Sequence, residues 1–201
     1  MARKTQISRE LILDTAFRML VRDGYGSINI TTLAREIGCS TQPIAWHFGN
    51  MEGLRDALLR HCLDYMKNHF TLSGDSTVPM LAEIQRKYID LAFDHPNLYK
   101  YLYMTDQDRM QTEALLQTLR FPSCEKILHL LQQEYDVNEE AARRYLLDLQ
   151  LYVHGIASFA VSKIPFSSKE DVLVMIHDAN EAFLAKMIRA THANRTENQK
   201  N

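Results

Sequence analysis

Turn formers and strand signals are scarce in this 201-residue chain, which holds seven glycines and five prolines. Apolar residues instead recur at i, i+3 and i+4, and the combination argues for an all-α protein of about nine helices. Cysteine is nearly absent too: Cys39, Cys62 and Cys124 are odd in number, far apart and outside any C-x-x-C spacing. That excludes a disulfide framework and points to a reducing compartment, with the thiols as small core residues. Charge of one sign is also missing, the net charge being -2, so any nucleic-acid contact has to come from local placement. The first 60 residues carry eight Lys/Arg against six Asp/Glu, and the remainder fifteen against nineteen.

No apolar run is long enough to cross a bilayer, because the most apolar segment, 146–161, is broken by Asp148, Gln150 and His154. The start "MARKTQISRE" has no signal-peptide core, so the expected location is the cytoplasm, with no membrane partner. Catalytic and metal signatures are missing as well: eight scattered histidines show no H-E-x-x-H, and there is no G-x-S-x-G, P-loop or dinucleotide fingerprint. No catalytic residue, metal or cofactor is expected, and the enzyme class has nothing to rest on.

What is present is punctuation. A first helix runs from a Ser8 cap to the glycines of "DGYG". Between 29 and 48 the pattern is cap, eight residues, glycine, cap, eight residues. Asn29 caps a helix with Leu33 and Ile37 inward and a small Ala34; Gly38 permits a sharp turn, Ser40 caps the second short helix, and Pro43 fits an early position where no N–H is needed. This is a helix-turn-helix signature. On a wheel of 100° per residue, Ile44 and Phe48 form the inward stripe with Thr41 nearby, while Gln42 and Trp46 fall opposite, flanked by Pro43 and Ala45.

An outward Trp46 either packs under a neighbouring loop or dimer mate or meets a ligand surface. Gln42 can read adenine edges, Thr41 offers a methyl to thymine, and Trp46 can cover sugar-phosphate or base faces. His47 either bonds locally to orient the helix or contacts phosphate. The backbone N–H groups of residues 50–53, from Asn50 on, open the next helix and could cup a phosphate, and Arg3 and Lys4 could reach a minor groove.

The segment "NITTLAREIGCSTQPIAWHFGNMEGL" resembles the DNA-binding part of the tetracycline-repressor (TetR) family, with Leu33, Ala34, Gly38, Ser40, Ile44, His47, Phe48 and Leu54 in register. The resemblance implies an all-helical homodimer that binds a palindromic operator and represses until a small-molecule effector binds its C-terminal domain. Two positions depart from the family pattern. Ala45 stands where a tyrosine is common and Met51 where a lysine is common, which shifts phosphate positioning toward Trp46 and the backbone of 50–53. The same two positions support the alternative of a ligand-binding or protein-interaction module that has lost DNA.

The Gly/Ser/Thr/Pro cluster 71–79 marks a boundary. The expected organisation is a DNA-binding unit at 1–50, a connecting helix at about 50–72 and an effector-binding and dimerisation domain at 73–201. In the latter, helices are expected over 80–93, at "LYKYLYM", over 108–135 with a break at Pro122, and after the caps Asn138 and Ser167, the last forming a capping box with Glu170. Aromatic and methionine side chains there form either plain core or an apolar pocket, with Tyr88, Tyr103, Gln150 and His154 as candidate effector contacts. The penultimate helix is apolar on nearly every side, and the last carries a stripe through Ile176, Phe183 and Met187. Both are either internal core or, with Tyr152, Ile156 and Phe159, a self-complementary dimer interface.

Overall fold

The computed structural model describes residues 7–72, 74–104, 122–162 and 168–198. Among them are nine α-helices and one 3-10 turn and no strand, the all-α class that the spacing predicts. The helices are α1 (Arg9–Asp23), α2 (Ile30–Ile37), α3 (Gln42–Phe48), α4 (Met51–His69), α5 (Thr77–Asp94), α6 (Pro96–Tyr103), α7 (Pro122–Tyr135), α8 (Glu139–Val161) and α9 (Lys169–Asn198). Arg3, Lys4, Ser167 and the first half of the helix expected over 108–135 lie outside the described residues. No described helix is long and apolar enough to cross a membrane.

The chain divides into two compact units, and the division differs from a single cut at 72/73. The first runs to Asn68 and takes in the segment that begins at His95; the second holds His69–Asp94 and the helices from α7 onward. In the first unit, α1 begins as expected at Ser8, whose Oγ accepts from the Leu11 N–H at 3.1 Å. Its inward face buries Ile12, Ala16 and Leu20 completely. The orphan carbonyls at its other end are met from α6: the Asn97 carboxamide donates to the Val21 and Arg22 carbonyls at 3.1 and 3.2 Å. This tie makes α6 part of the N-terminal unit, and its Leu98, Tyr99 and Leu102 have no exposed surface.

In the second unit α8 packs against α5, α7 and α9. Its buried side chains include Tyr145, Leu149, Val153 and Ala157. Asn138 caps α8 by accepting from the Ala141 N–H at 2.8 Å. The cap of α9 falls one residue later than the sequence suggests: Ser168 Oγ accepts from the Asp171 N–H at 3.1 Å, and Asp171 accepts from the Ser168 N–H at 3.0 Å. Adjacent serines each with an acid three residues on give the same sequence signal, and the chain uses the second. Polar contacts, one buried and one near the surface, link the helices. Tyr145 donates to Asn180 across α8 and α9, and Lys169 bridges Asp90 at 2.5 Å and Asp94 at 3.0 Å.

Buried Ser123 serves two backbone groups, donating to the Phe70 carbonyl at 2.8 Å and accepting from the Leu72 N–H at 3.1 Å. Ser123→Ala removes both bonds and is expected to cost about 2 kcal/mol, read as a lower urea midpoint with an unchanged m-value.

Candidate functional site

The helix-turn-helix is built by short-range rules. Asn29 and Thr32 form a reciprocal box, Thr32 N–H to Asn29 Oδ1 at 2.9 Å and Asn29 N–H to Thr32 Oγ1 at 3.0 Å. Gly38 takes the left-handed conformation, φ 78° and ψ 34°, which a Cβ would disfavour. The Cys39 N–H then closes the end of α2 on the Ala34 carbonyl at 2.9 Å. Helix α3 starts at Gln42, so its cap residue is Thr41 rather than the expected Ser40, and Thr41 makes no side-chain cap bond. Pro43 lies in the first turn, where its missing N–H costs nothing.

Ile44 has no exposed surface, whereas Trp46 is 74% exposed. Thr41, Gln42 and Ala45 are exposed with it, and Ser40 and Asn50 flank them on the surface; Pro43 and His47 are half-buried. Phe48 is half-buried beneath Arg9, whose guanidinium sits 5.2 Å from the ring centroid. The inward Ile44 and the outward Gln42 and Trp46 match the wheel reading, Thr41 is exposed although the wheel sets it beside the inward stripe, and no described loop covers the tryptophan. His47 takes the local role: its Nε2 lies 3.0 Å from the Ile7 carbonyl and its ring 4.5 Å from that of Trp46. It links α3 to Ile7, the residue before the α1 cap.

At the start of α4, Asn50 Oδ1 accepts from the Gly53 N–H at 3.0 Å. One of the expected phosphate donors is thus spent within the chain. A side chain at Gly53 would collide with the Phe48 carbonyl, so the turn from α3 into α4 is as tight as a glycine allows.

The second unit holds a cavity of about 260 Å³ between α5, α7 and α8, with Leu81, Ile84, Tyr88, Leu128, Leu149 and Val153 among its apolar walls. Of the four expected effector contacts, Tyr88 and Gln150 line it. His154 stands behind, its Nδ1 2.7 Å from the Tyr88 hydroxyl. Burial pushes its imidazole below the ordinary histidine range, which favours the neutral ring. Tyr103 does not line this cavity: it lies on α6 in the first unit, its ring 5.0 Å from that of Tyr99.

Gln85, which the sequence reading passed over, lines the cavity from α5 at 6% exposure. Its signal was a polar residue on the stripe of Leu81, Tyr88, Ile89 and Ala92. The carboxamide nitrogens of Gln85 and Gln150 are buried without a hydrogen-bond partner.

The expected dimer residues divide. Ile156, Ile176 and Met187 are buried within the single chain, so they are core. Phe159 is 50% exposed. Tyr152 and Phe183 are half-buried against each other with ring centroids 6.0 Å apart. Leu147 and Leu151 on α8 and Val174 and Met175 on α9 are large apolar side chains left exposed.

An unpartnered buried amide is a standing cost, so Gln85→Met should stabilise the protein by about 1 kcal/mol. A thermal melt should show the midpoint rising by about 2–4 °C; a fall would mean that the carboxamide is satisfied.

Residues 12–58, which run from within α1 into the first half of α4, match the sequence profile described as bacterial regulatory proteins, tetR family. An uncharacterized HTH-type transcriptional regulator of Mycobacterium tuberculosis is 30% identical over 103 residues, a match covering 49% of this chain and 46% of that protein. The chain thus spans about half the length of this curated relative.

Among solved structures, a protein described as a TetR-family transcriptional regulator from Rhodococcus sp. superposes with a TM-score of 0.65 at 17% identity, covering 88% of this chain and 98% of that one. A TetR variant from Acinetobacter baumannii in complex with minocycline gives 0.60 at 15% identity, covering 92% and 98%. At these identities the structures establish the shared fold. Profile, relative and fold agree with the helix-turn-helix geometry: residues 12–58 match the tetR family of bacterial regulatory proteins, and the chain shares the fold of solved structures described as TetR proteins.

Proposed function

We infer that the chain is a DNA-binding transcriptional regulator acting as a repressor in the cytoplasm: a homodimer docks its two α3 helices in successive major grooves of a palindromic operator, about 34 Å apart. The observation that carries this reading is the outward face of α3. A tryptophan left 74% exposed beside exposed Gln42 and Thr41, on a helix whose Ile44 is fully buried, is a surface held out for a partner. Gln42 supplies paired donor and acceptor groups for a base edge, and Trp46 covers the sugar-phosphate chain. Arg3, Lys4 and Asn50 are assigned to the flanking backbone.

The exposed apolar side chains of α8 and α9 support the homodimer, with Phe159, Tyr152 and Phe183 in or beside the interface. The cavity supports a small-molecule effector that releases the operator, with Tyr88 and Gln150 among its contacts, held by His154. The neighbour seen with minocycline adds support for a ligand in this fold. Release is a population shift, and linkage requires operator DNA to weaken effector binding by the factor by which the effector weakens operator binding.

Gln42→Ala and Trp46→Ala should each weaken operator binding about tenfold or more, with the thermal midpoint of the protein unchanged. Wild-type affinity should fall steeply with salt. Gel-shift titrations in which both variants bind like wild type would overturn the contact assignment, and salt-independent affinity would overturn phosphate-based binding.

A further inference from the structure

Resting on the effector role of the cavity, we propose the chemical class that it selects: an uncharged, mainly apolar molecule of roughly ten to fifteen non-hydrogen atoms that carries a hydrogen-bond acceptor such as a carbonyl or ether oxygen. Three features of the cavity lead there.

The size follows from a volume of about 260 Å³, filled at the density of a protein interior. The acceptor follows from Gln85 and Gln150. They line the cavity from α5 and α8, and each has a buried carboxamide nitrogen with no partner. A ligand oxygen that takes up one or both N–H groups removes a penalty that the ligand-free protein carries, so it adds affinity beyond that of apolar burial. The Tyr88 hydroxyl is already committed to His154 at 2.7 Å, which leaves the two glutamines as the polar selectors.

Neutrality follows from the charges. Among the described residues, the charged side chains lining the cavity are Glu125 and Arg143, and they face each other at 3.7 Å. Arg143 is further held by Glu139 at 2.7 Å. Both side chains are more than half exposed, so neither offers a buried counter-charge, and an ion of either sign would leave water for apolar walls.

Calorimetric titration of the full-length protein with three probes of matched shape tests this: benzylacetone (a ketone), butylbenzene (its hydrocarbon counterpart) and phenylbutyrate (an anion). Benzylacetone should bind about tenfold tighter than butylbenzene, the factor that about 1.4 kcal/mol of hydrogen bonding gives, and phenylbutyrate should bind weakest. The double variant Gln85→Met, Gln150→Met should keep the butylbenzene affinity and lose the preference for the ketone, its thermal midpoint reporting that it is folded.

Cys124 also lines the cavity. Bound benzylacetone should therefore slow its alkylation, read by mass spectrometry, while Cys39 beside the α2–α3 turn reacts at its unliganded rate. Tighter binding of phenylbutyrate, equal affinity for ketone and hydrocarbon, a preference that survives in the double variant, unprotected Cys124, or no binding of any probe would each overturn the proposal. None of these readouts involves DNA, so failure of the regulator reading would show separately in the operator titrations.

Discussion

Burial of Ile44 is the constraint on which the exposed face of α3 depends. Helix α3 has seven residues, far below the length at which a helix persists alone in water, and it is held against α1 and α2. Ile44 has no exposed surface, and burying such a side chain contributes about 2 kcal/mol. Because side chains on a helix advance by 100° per residue, fixing Ile44 inward fixes Gln42 and Trp46 outward. The surrounding devices refine that orientation: the Asn29–Thr32 box sets the start of α2, left-handed Gly38 sets the turn, and the His47 contact with the Ile7 carbonyl ties down the far side.

The second unit presents the opposite pattern, with polar groups drawn inside and mostly paired. Tyr145 bonds Asn180, Ser123 serves two backbone groups, and Tyr88 is held by His154. Against that background the unpartnered carboxamides of Gln85 and Gln150 stand out, and both line the same cavity. Thr77 Oγ1 is also buried without a partner but does not line the cavity, so the two donors beside the void are where polar specificity is concentrated. The exposed apolar side chains of α8 and α9 lie on the same two helices that supply much of the unit's core.

What was legible in the sequence was what local rules decide. Ser8, Asn29 and Asn138 cap helices as read, and the facing of α3 follows from spacing alone. Where two residues carry the same local signal, the reading slipped by one: Ser40 and Thr41 before α3, Ser167 and Ser168 before α9. Where a position depends on distant partners, it failed. Tyr103 reads as a pocket aromatic, but α6 joins the first unit through Asn97 and the end of α1. The stripe through Ile176 and Met187 is real, yet it faces the protein's own core. Periodicity tells which residues share a face and is silent on what covers that face. Gln85 was missed although it interrupts an apolar stripe, which is the signal that would have found it.

The central claim is that the outward face of α3 reads DNA in a symmetric pair. The most direct test is selection of bound duplexes from a random-sequence pool with the purified protein. The account predicts enrichment of an inverted repeat whose half-sites are centred about one helical turn, or a small multiple of it, apart. Enrichment of a single unrepeated site, or of no sequence at all, would contradict it.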